Sequence, residues 1–476
     1  MKAVVVGSGP NGLAGALELA RAGLDVEVYE AEDTLGGGVR SAELTLPGFV
    51  HDVCSAIHPL GAHSPFFRSV ELDVEWVAPD AQAAHPLDDG TAVVHERDLD
   101  ATADALGEDG RAYRVLVAPL VEHWPLVEPV LIGPHPPSAR AIARLGRALG
   151  PRPALHALAA ARTFAERTFA TERARAFFAG HSAHSMLPLE RRPTAGFGLS
   201  LLVLGHVFGW SFPRGGAQRL TDALVARLEE RGVRVHTSSP VDRLPDADVV
   251  LADVAPRELL RLAHGRLPER YVRALRRYRH GPGAFKLDWA LSEPIPWRAR
   301  DVGRAGTVHL GGTLDEIAAS EWAAWTGRKG PPPFVLLAQH TRFDPSRAPE
   351  GKHTAWAYCH VPNGSREDYT DAIEAQVERF APGFRETILA RSAWGPAEIE
   401  GHNRNLVGGD INCGAMDLGQ LFTRPVRSRV PYRTPLAGVY LCSAATPPGG
   451  GVHGMCGVSA ARVALEDLSK RVTSRP

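Results

Sequence analysis

The chain has 476 residues, of which 44% are apolar and 22% charged, with a formal net charge of -1. This length predicts two or three structural units, and the composition is ordinary for a globular protein. The near-zero charge leaves no general basic excess for a nucleic-acid partner. The five cysteines, Cys54, Cys359, Cys413, Cys442 and Cys456, form no C-x-x-C pair and are irregularly spaced. They predict neither a disulfide framework nor a zinc site, and read as buried thiols in a reducing compartment. The N-terminal MKAVVVGSGPNG lacks a signal-peptide pattern, and there is no run of about 18 or more apolar residues. A cytoplasmic location is expected.

In chain order, residues 3–6 are a short apolar run that predicts a buried parallel strand. Residues 7–12, GSGPNG, break it. Residues 13–22 have helical composition and stop at Gly23, and residues 25–30, DVEVYE, alternate like a second strand. A loop-rich stretch follows, then helical composition from about 101 to 195. The most apolar stretch, residues 197–212, FGLSLLVLGHVFGWSF, predicts a buried helix. Residues 218–231 predict a helix ending at Gly232, with a strand at 233–236 and short strands near Val241 and at 248–252. Strands at 284–291, 307–310, 334–340 and 354–360 alternate with helices at 315–325 and 367–380. The stretch GVYLCSAATPPGGGVHGMCGVSAARVAL, residues 438–465, returns to strand, glycine turn and helix.

The segment Gly7, Ser8, Gly9, Pro10, Asn11, Gly12 fits G-x-G-x-x-G. Its strand before, helix after and acid about 20 residues on make it a dinucleotide signature. Gly7 permits the tight turn, Gly9 lets backbone approach a diphosphate, and Gly12 lets the helix pack on the strand. Glu30 ends the second strand, where its carboxylate can take both ribose hydroxyls and repel a 2′-phosphate. The motif does not separate NAD from FAD.

Four further segments carry a resemblance. EAEDTLGGGVRS places Gly36, Gly37 and Arg40 as a glycine pair and arginine, with Gly38 where a first arginine is common. SFPRGGAQRLTDALVARLEERGVRVHTSSPVDRL leads to Val241, and DPSRAPEGKHTAWAYC and LCSAATPPGGGVHGMCGVSAA follow in order. Together they resemble the phytoene desaturase (carotenoid oxidoreductase)-like branch of the flavin amine oxidase superfamily. The resemblance implies an α/β fold with a discontinuous Rossmann-like FAD-binding domain at residues 1–75, 205–260 and 425–476. Residues 76–204 and 261–424 would form an inserted α+β substrate domain, a mixed sheet plus helices, with a helical part near 100–200. It implies FAD as cofactor, with Val241 beside the adenine and Ser443, Gly450, Gly451 and Val452 at the flavin ring. One glycine turn would serve each end of the long cofactor.

The implied activity is a desaturase or dehydrogenase. It would move a hydride from a C–C, or less often C–N, bond of a lipophilic small molecule to flavin N5, and then to an acceptor such as oxygen or a quinone. A flavin-dependent isomerase without net redox change and a non-catalytic flavin-binding protein stay open. A base would be useful, and histidine suits neutral pH. The candidates are His453, just after the rear turn, His58 in SAIHP and His206 in an apolar run. Lys286, in AFKLDWAL, reads as a structural strand residue. No metal-ligand spacing stands out. Substrate and oligomeric state stay open, as does a membrane contact to fetch a lipophilic substrate.

Overall fold

The structure, a computed structural model, describes residues 1–133, 137–328 and 330–473. A parallel sheet has the strand order Val439–Leu441, Val249–Ala252, Lys2–Val6, Asp25–Tyr29, Arg234–His236. Its central strand explains the apolar run at the start of the sequence. Ala3 and Val5 pack into a cluster with Leu13, Leu17, Leu220 and Val458, whereas Val4 and Val6 pack on the opposite face with Leu259 and Leu262. Both faces are covered, so successive residues must all be apolar.

The first helix runs Pro10–Arg21, starting three residues before the composition suggests. Pro10 stands at its first turn, where a missing N–H costs nothing and a fixed φ is already helical. The short strand predicted near Val241 does not form. Pro240 and Pro245 remove ladder donors there, and Ser238 and Ser239 donate instead to the carbonyls of Glu32 and Glu30 at 2.8 Å each.

A second, mixed sheet has the order Ile388–Trp394, Gly283–Leu291, His353–Val361, Val335–Ala338, Ala305–Leu310, Ala81–Pro86, Ala92–His95. Only the pairing of Ala305–Leu310 with Ala81–Pro86 is parallel. Helices Glu172–Ala183, Thr194–Val207 and Leu314–Thr326 share an apolar cluster with Val93 and Leu336 on one face. Helix Thr370–Phe380 packs with Val94, Leu337 and Val308 on the other. Thr194–Val207 is the buried helix expected from the apolar stretch. Among the described residues no helix is long and apolar enough to cross a membrane.

Candidate cofactor site and adjoining cavity

The two glycine turns meet because the first helix and the helix Met455–Thr473 cross closely. A Cβ on Gly457 would lie 1.8 Å from the Asn11 carbonyl oxygen, and one on Gly15 only 3.3 Å from the Gly457 carbonyl. Only glycine allows that approach, so the start of the last helix rests against the start of the first.

At the front turn, Gly7 has φ +100, and a Cβ on Gly12 would stand 2.2 Å from the Gly7 carbonyl oxygen. Glu30 is buried. Its Oε2 accepts the Ser8 N–H at 2.9 Å and the Ser8 hydroxyl at 2.5 Å, and its Oε1 accepts the Glu32 N–H at 3.1 Å. The Gly36 N–H donates to the Ser8 hydroxyl at 3.1 Å, and a Cβ on Gly37 would lie 3.0 Å from Gly9 Cα. The glycine pair therefore sits directly on the front turn. Buried Arg40 donates to the carbonyls of Gly37 at 2.7 Å and His402 at 3.3 Å. Burial pulls its pKa down from the usual arginine value, against the pull of Glu30. Val241 is half-buried in the cluster that holds Tyr29, and its carbonyl accepts from Arg261 at 3.2 Å.

At the rear turn, Gly449 and Gly451 have φ +113 and +118. A Cβ on Gly450 would lie 3.1 Å from Asn412 Oδ1. The Ser443 hydroxyl donates to the Val254 carbonyl at 2.8 Å, which ties the rear segment to the strand beside the front turn. Val452 faces Gly61, whose Cβ would be 3.5 Å from the Val452 carbonyl and 2.7 Å from His58 Cβ.

The three predicted bases part company here. His453 Nδ1 accepts the Met455 N–H at 3.0 Å and its Nε2 faces the Gly449 carbonyl at 3.2 Å. In the neutral ring that tautomer commits the lone pair to Met455, so His453 shapes the turn. His58 is buried beside the same turn with neither ring nitrogen hydrogen-bonded, and burial lowers its pKa to about 4. It is neutral at pH 7 and keeps a basic lone pair. His206 lies apart, bonded to the Tyr113 hydroxyl at 2.6 Å with the His95 ring 4.7 Å away.

A small cavity of about 20 Å³ opens between the mixed sheet and these segments, lined by Cys54, Lys286, Trp356, Tyr358, Trp394 and Ile411. A Cβ on Gly38 would touch Cys54 Sγ at 3.8 Å, and Ala444 packs with Cys54, Leu406 and Ile411, so the cavity adjoins both cofactor segments. Lys286, read from the sequence as a structural strand residue, lines this cavity. Its ammonium pairs with buried Asp288 and stands 5.6 Å from the Trp394 ring centre. Burial pushes the Asp288 carboxyl up to about 6, against the pull of Lys286. The other Asp288 oxygen faces His51 Nδ1 at 3.6 Å. The available signal was a lysine within a nine-residue strand that is buried along its whole length, because lysine is almost never buried without a partner. Among the described residues no group of three or more His, Cys, Asp or Glu could hold a metal ion.

The residues present fit FAD. Asn11 Oδ1 at the front turn and both His58 nitrogens at the rear turn are buried polar atoms without a hydrogen-bond partner, a state proteins rarely tolerate without a ligand or water. At Gly9, Gly12, Gly449 and Gly450 a Cβ would press on Asp253, Gly7, Arg424 and Asn412, so both turns keep their backbone bare, and Glu30 stands at the end of its strand for a ribose. The two-sheet fold is that of the flavin-dependent oxidoreductases.

Comparison with known proteins agrees. Residues 5–70 match the model of an NAD(P)-binding Rossmann-like domain. The chain is 26% identical to the mouse (Mus musculus) pyridine nucleotide-disulfide oxidoreductase domain-containing protein 2, over 98% of this chain and 93% of that protein. It is 28% identical to the phytoene dehydrogenase of Streptomyces griseus, over 84% and 83% respectively. Its fold is similar to that of an oxidoreductase from Methanosarcina mazei, with TM-score 0.67 and 19% identity over 98% of this chain and 100% of that one. A putrescine oxidase variant is similar at TM-score 0.64 and 16% identity, over 98% and 99%. The chain thus has the fold and dinucleotide-binding domain of the FAD-dependent oxidoreductases. Phytoene desaturases are among its homologues and amine oxidases among its structural neighbours, and its cofactor is FAD, as the resemblance implied.

Proposed function

We propose that this protein takes a hydride from a C–C, or less often C–N, bond of a lipophilic small molecule. Electrons would leave to an acceptor such as oxygen or a quinone. One observation supports this best: an apolar, aromatic-walled cavity adjoins both cofactor segments and carries one buried ammonium, that of Lys286. When bound, FAD supplies the hydride acceptor. Trp356, Tyr358 and Trp394 bind an apolar body and exclude water. Lys286 has three N–H donors, of which Asp288 takes one, so it can orient a water or an acceptor group on the substrate. His58 has the lone pair to receive the proton that leaves beside the hydride.

The test is anaerobic mixing of the holoprotein with phytoene and other partly saturated isoprenoids. Bleaching of the flavin with a product two hydrogens lighter supports the proposal. A product of unchanged mass points to an isomerase, and absence of any flavin-dependent turnover points to a binding role. Lys286→Met should slow flavin reduction by about 100-fold, in the range of a lost proton-handling or orienting group. FAD content and thermal midpoint are measured alongside. A full rate at full FAD content would return Lys286 to a purely structural role.

We also propose that the protein docks on anionic membranes to fetch its substrate. Helix Ala139–Leu149 buries none of its residues and exposes Arg140, Arg144 and Arg147, with Arg152 just beyond. Ile142 and Leu155 are 53% and 61% exposed beside them. Basic and apolar groups together suit the headgroup region of an anionic leaflet. Co-sedimentation with phosphatidylglycerol vesicles, little binding to phosphatidylcholine, and loss in an R140E/R144E/R147E variant are expected. Equal partition to both lipids would sink this idea.

A further inference from the structure

Asp253 follows the strand Val249–Ala252, and its side chain reaches into the front glycine turn. Its Oδ2 accepts the Gly12 N–H at 2.9 Å and lies 2.7 Å from the place of a Cβ on Gly9. The backbone is held on both sides. Its N–H donates to the Val6 carbonyl at 2.9 Å, and its carbonyl accepts from Asn405 Nδ2 at 2.9 Å. Gly9, the N-cap of the first helix, has no side chain to offer, so Asp253 caps that helix from a distant strand.

The same helix start and the same close approach at Gly9 are what a dinucleotide diphosphate uses in a turn of this kind. A carboxylate and a diphosphate in one buried turn repel each other, whereas a neutral carboxyl does not. The titratable groups facing Asp253 are Glu30 and the buried thiols of Cys413, Cys442 and Cys456, none of which brings positive charge. Burial pushes the Asp253 carboxyl up to about 7, with the Gly12 N–H pulling it down and Glu30 pushing it further up.

We propose that Asp253 is an affinity-determining residue of the cofactor site, which admits the FAD diphosphate only with its own carboxyl protonated. Where the empty site is ionised, each FAD bound then takes up one proton from solution. This holds whichever substrate the cavity takes, and FAD binding to the apoprotein tests it without turnover.

Quenching of FAD fluorescence by the full-length apoprotein should give a Kd that is flat below about pH 7 and rises about tenfold per pH unit above it, as linkage to one proton requires. Asp253→Asn keeps an oxygen for the Gly12 N–H but cannot ionise. Its Kd should be flat from pH 6 to 9 and about tenfold tighter than wild type at pH 8. Calorimetry at pH 8 in phosphate and in Tris should show uptake of about one proton per FAD in the wild type and none in the variant. If the variant does not fold, the wild-type calorimetry decides alone. A wild-type Kd independent of pH, or the same pH dependence in Asp253→Asn, would overturn the proposal. A cap with a merely structural role would shift thermal stability and leave both pH profiles flat.

Discussion

Arg347→Met should destabilise the protein by about 3–5 kcal/mol, the cost of breaking a buried ion pair from one side. Arg347 is fully buried. Its Nη1 donates to Asp52 at 2.6 Å, Nε to Asp344 at 2.9 Å and Nη2 to the Pro213 carbonyl at 2.8 Å. Each carboxylate has other donors. Asp52 accepts from the Ser41 hydroxyl and the Ala217 N–H at 2.7 Å each, and Asp344 accepts the Gly215 N–H at 2.7 Å. Burial alone would raise the Asp52 pKa, yet Arg347, His340 and the Ala217 N–H bring it down to about 2. Removing the guanidinium leaves buried Asp52 without its arginine and Asp344 with only the Arg214 ion pair at 3.6 Å. The urea midpoint should fall sharply in R347M and recover in part in R347M/D52N, where one charge is also removed. An unchanged midpoint would mean that this centre contributes nothing.

Acidification from pH 7 to pH 5 should cost nearly as much as an ordinary domain has. His95, His181, His184 and His309 pack against Trp210 and His206 against Tyr113, with buried His85 electrostatically coupled to His181 and His309. His95 bonds His181 at 3.1 Å, His184 bonds His309 at 3.0 Å, and His85 bonds the Gly312 carbonyl at 2.8 Å. In each pair one ring donates and the other accepts, so an added proton would set two donors face to face. Burial lowers the pKa to about 3 for His181 and His184, to about 4 for His85 and His206, and well below the usual value for His95 and His309.

A base held neutral in the fold and able to charge when unfolded loses stability as pH drops below the unfolded pKa near 6.5. The loss continues until the folded pKa is reached, and above 6.5 there is no effect. At pH 5 each such histidine costs about 2 kcal/mol, and the set approaches the 5–15 kcal/mol of a whole domain. Asp253 and Asp288, raised to about 7 and 6, act in the opposite sense and offset part of this. Thermal midpoints from pH 8 to pH 5 should be level to about 6.5 and then drop steeply, and less steeply in His309→Phe. A level profile down to pH 5 would contradict the neutral cluster.

The front of the cofactor site was legible because its parts are neighbours in sequence: strand, glycine turn, helix, acid. The rear turn was legible for the same reason. What reaches across the chain was not. DPSRAPEGKH is recognisable as a segment, but nothing local says that its Arg347 binds Asp52 of GFVHD and the backbone of SFPRGG. Asp253 looks like a strand-end acid until the fold lays it in a turn formed by residues 7–12. Strand Ala81–Pro86, AQAAHP, has no β-branched or aromatic residue and gives no propensity signal. It is a strand because Ala305–Leu310 and Ala92–His95 pair with it. Val241 shows the reverse, an apolar residue whose flanking prolines outweigh its preference. His206 read as a possible base because its apolar context was visible and its contacts with Tyr113 and the His95 ring were not.

The glycine crossing of the first and last helices also sets an order of assembly. During synthesis Leu13 and Leu17 leave the ribosome more than 400 residues before Val458 and Ala461, which share their cluster. The nascent polypeptide must therefore carry an open greasy seam through most of its translation, and the coenzyme can be gripped only once the closing helix has emerged.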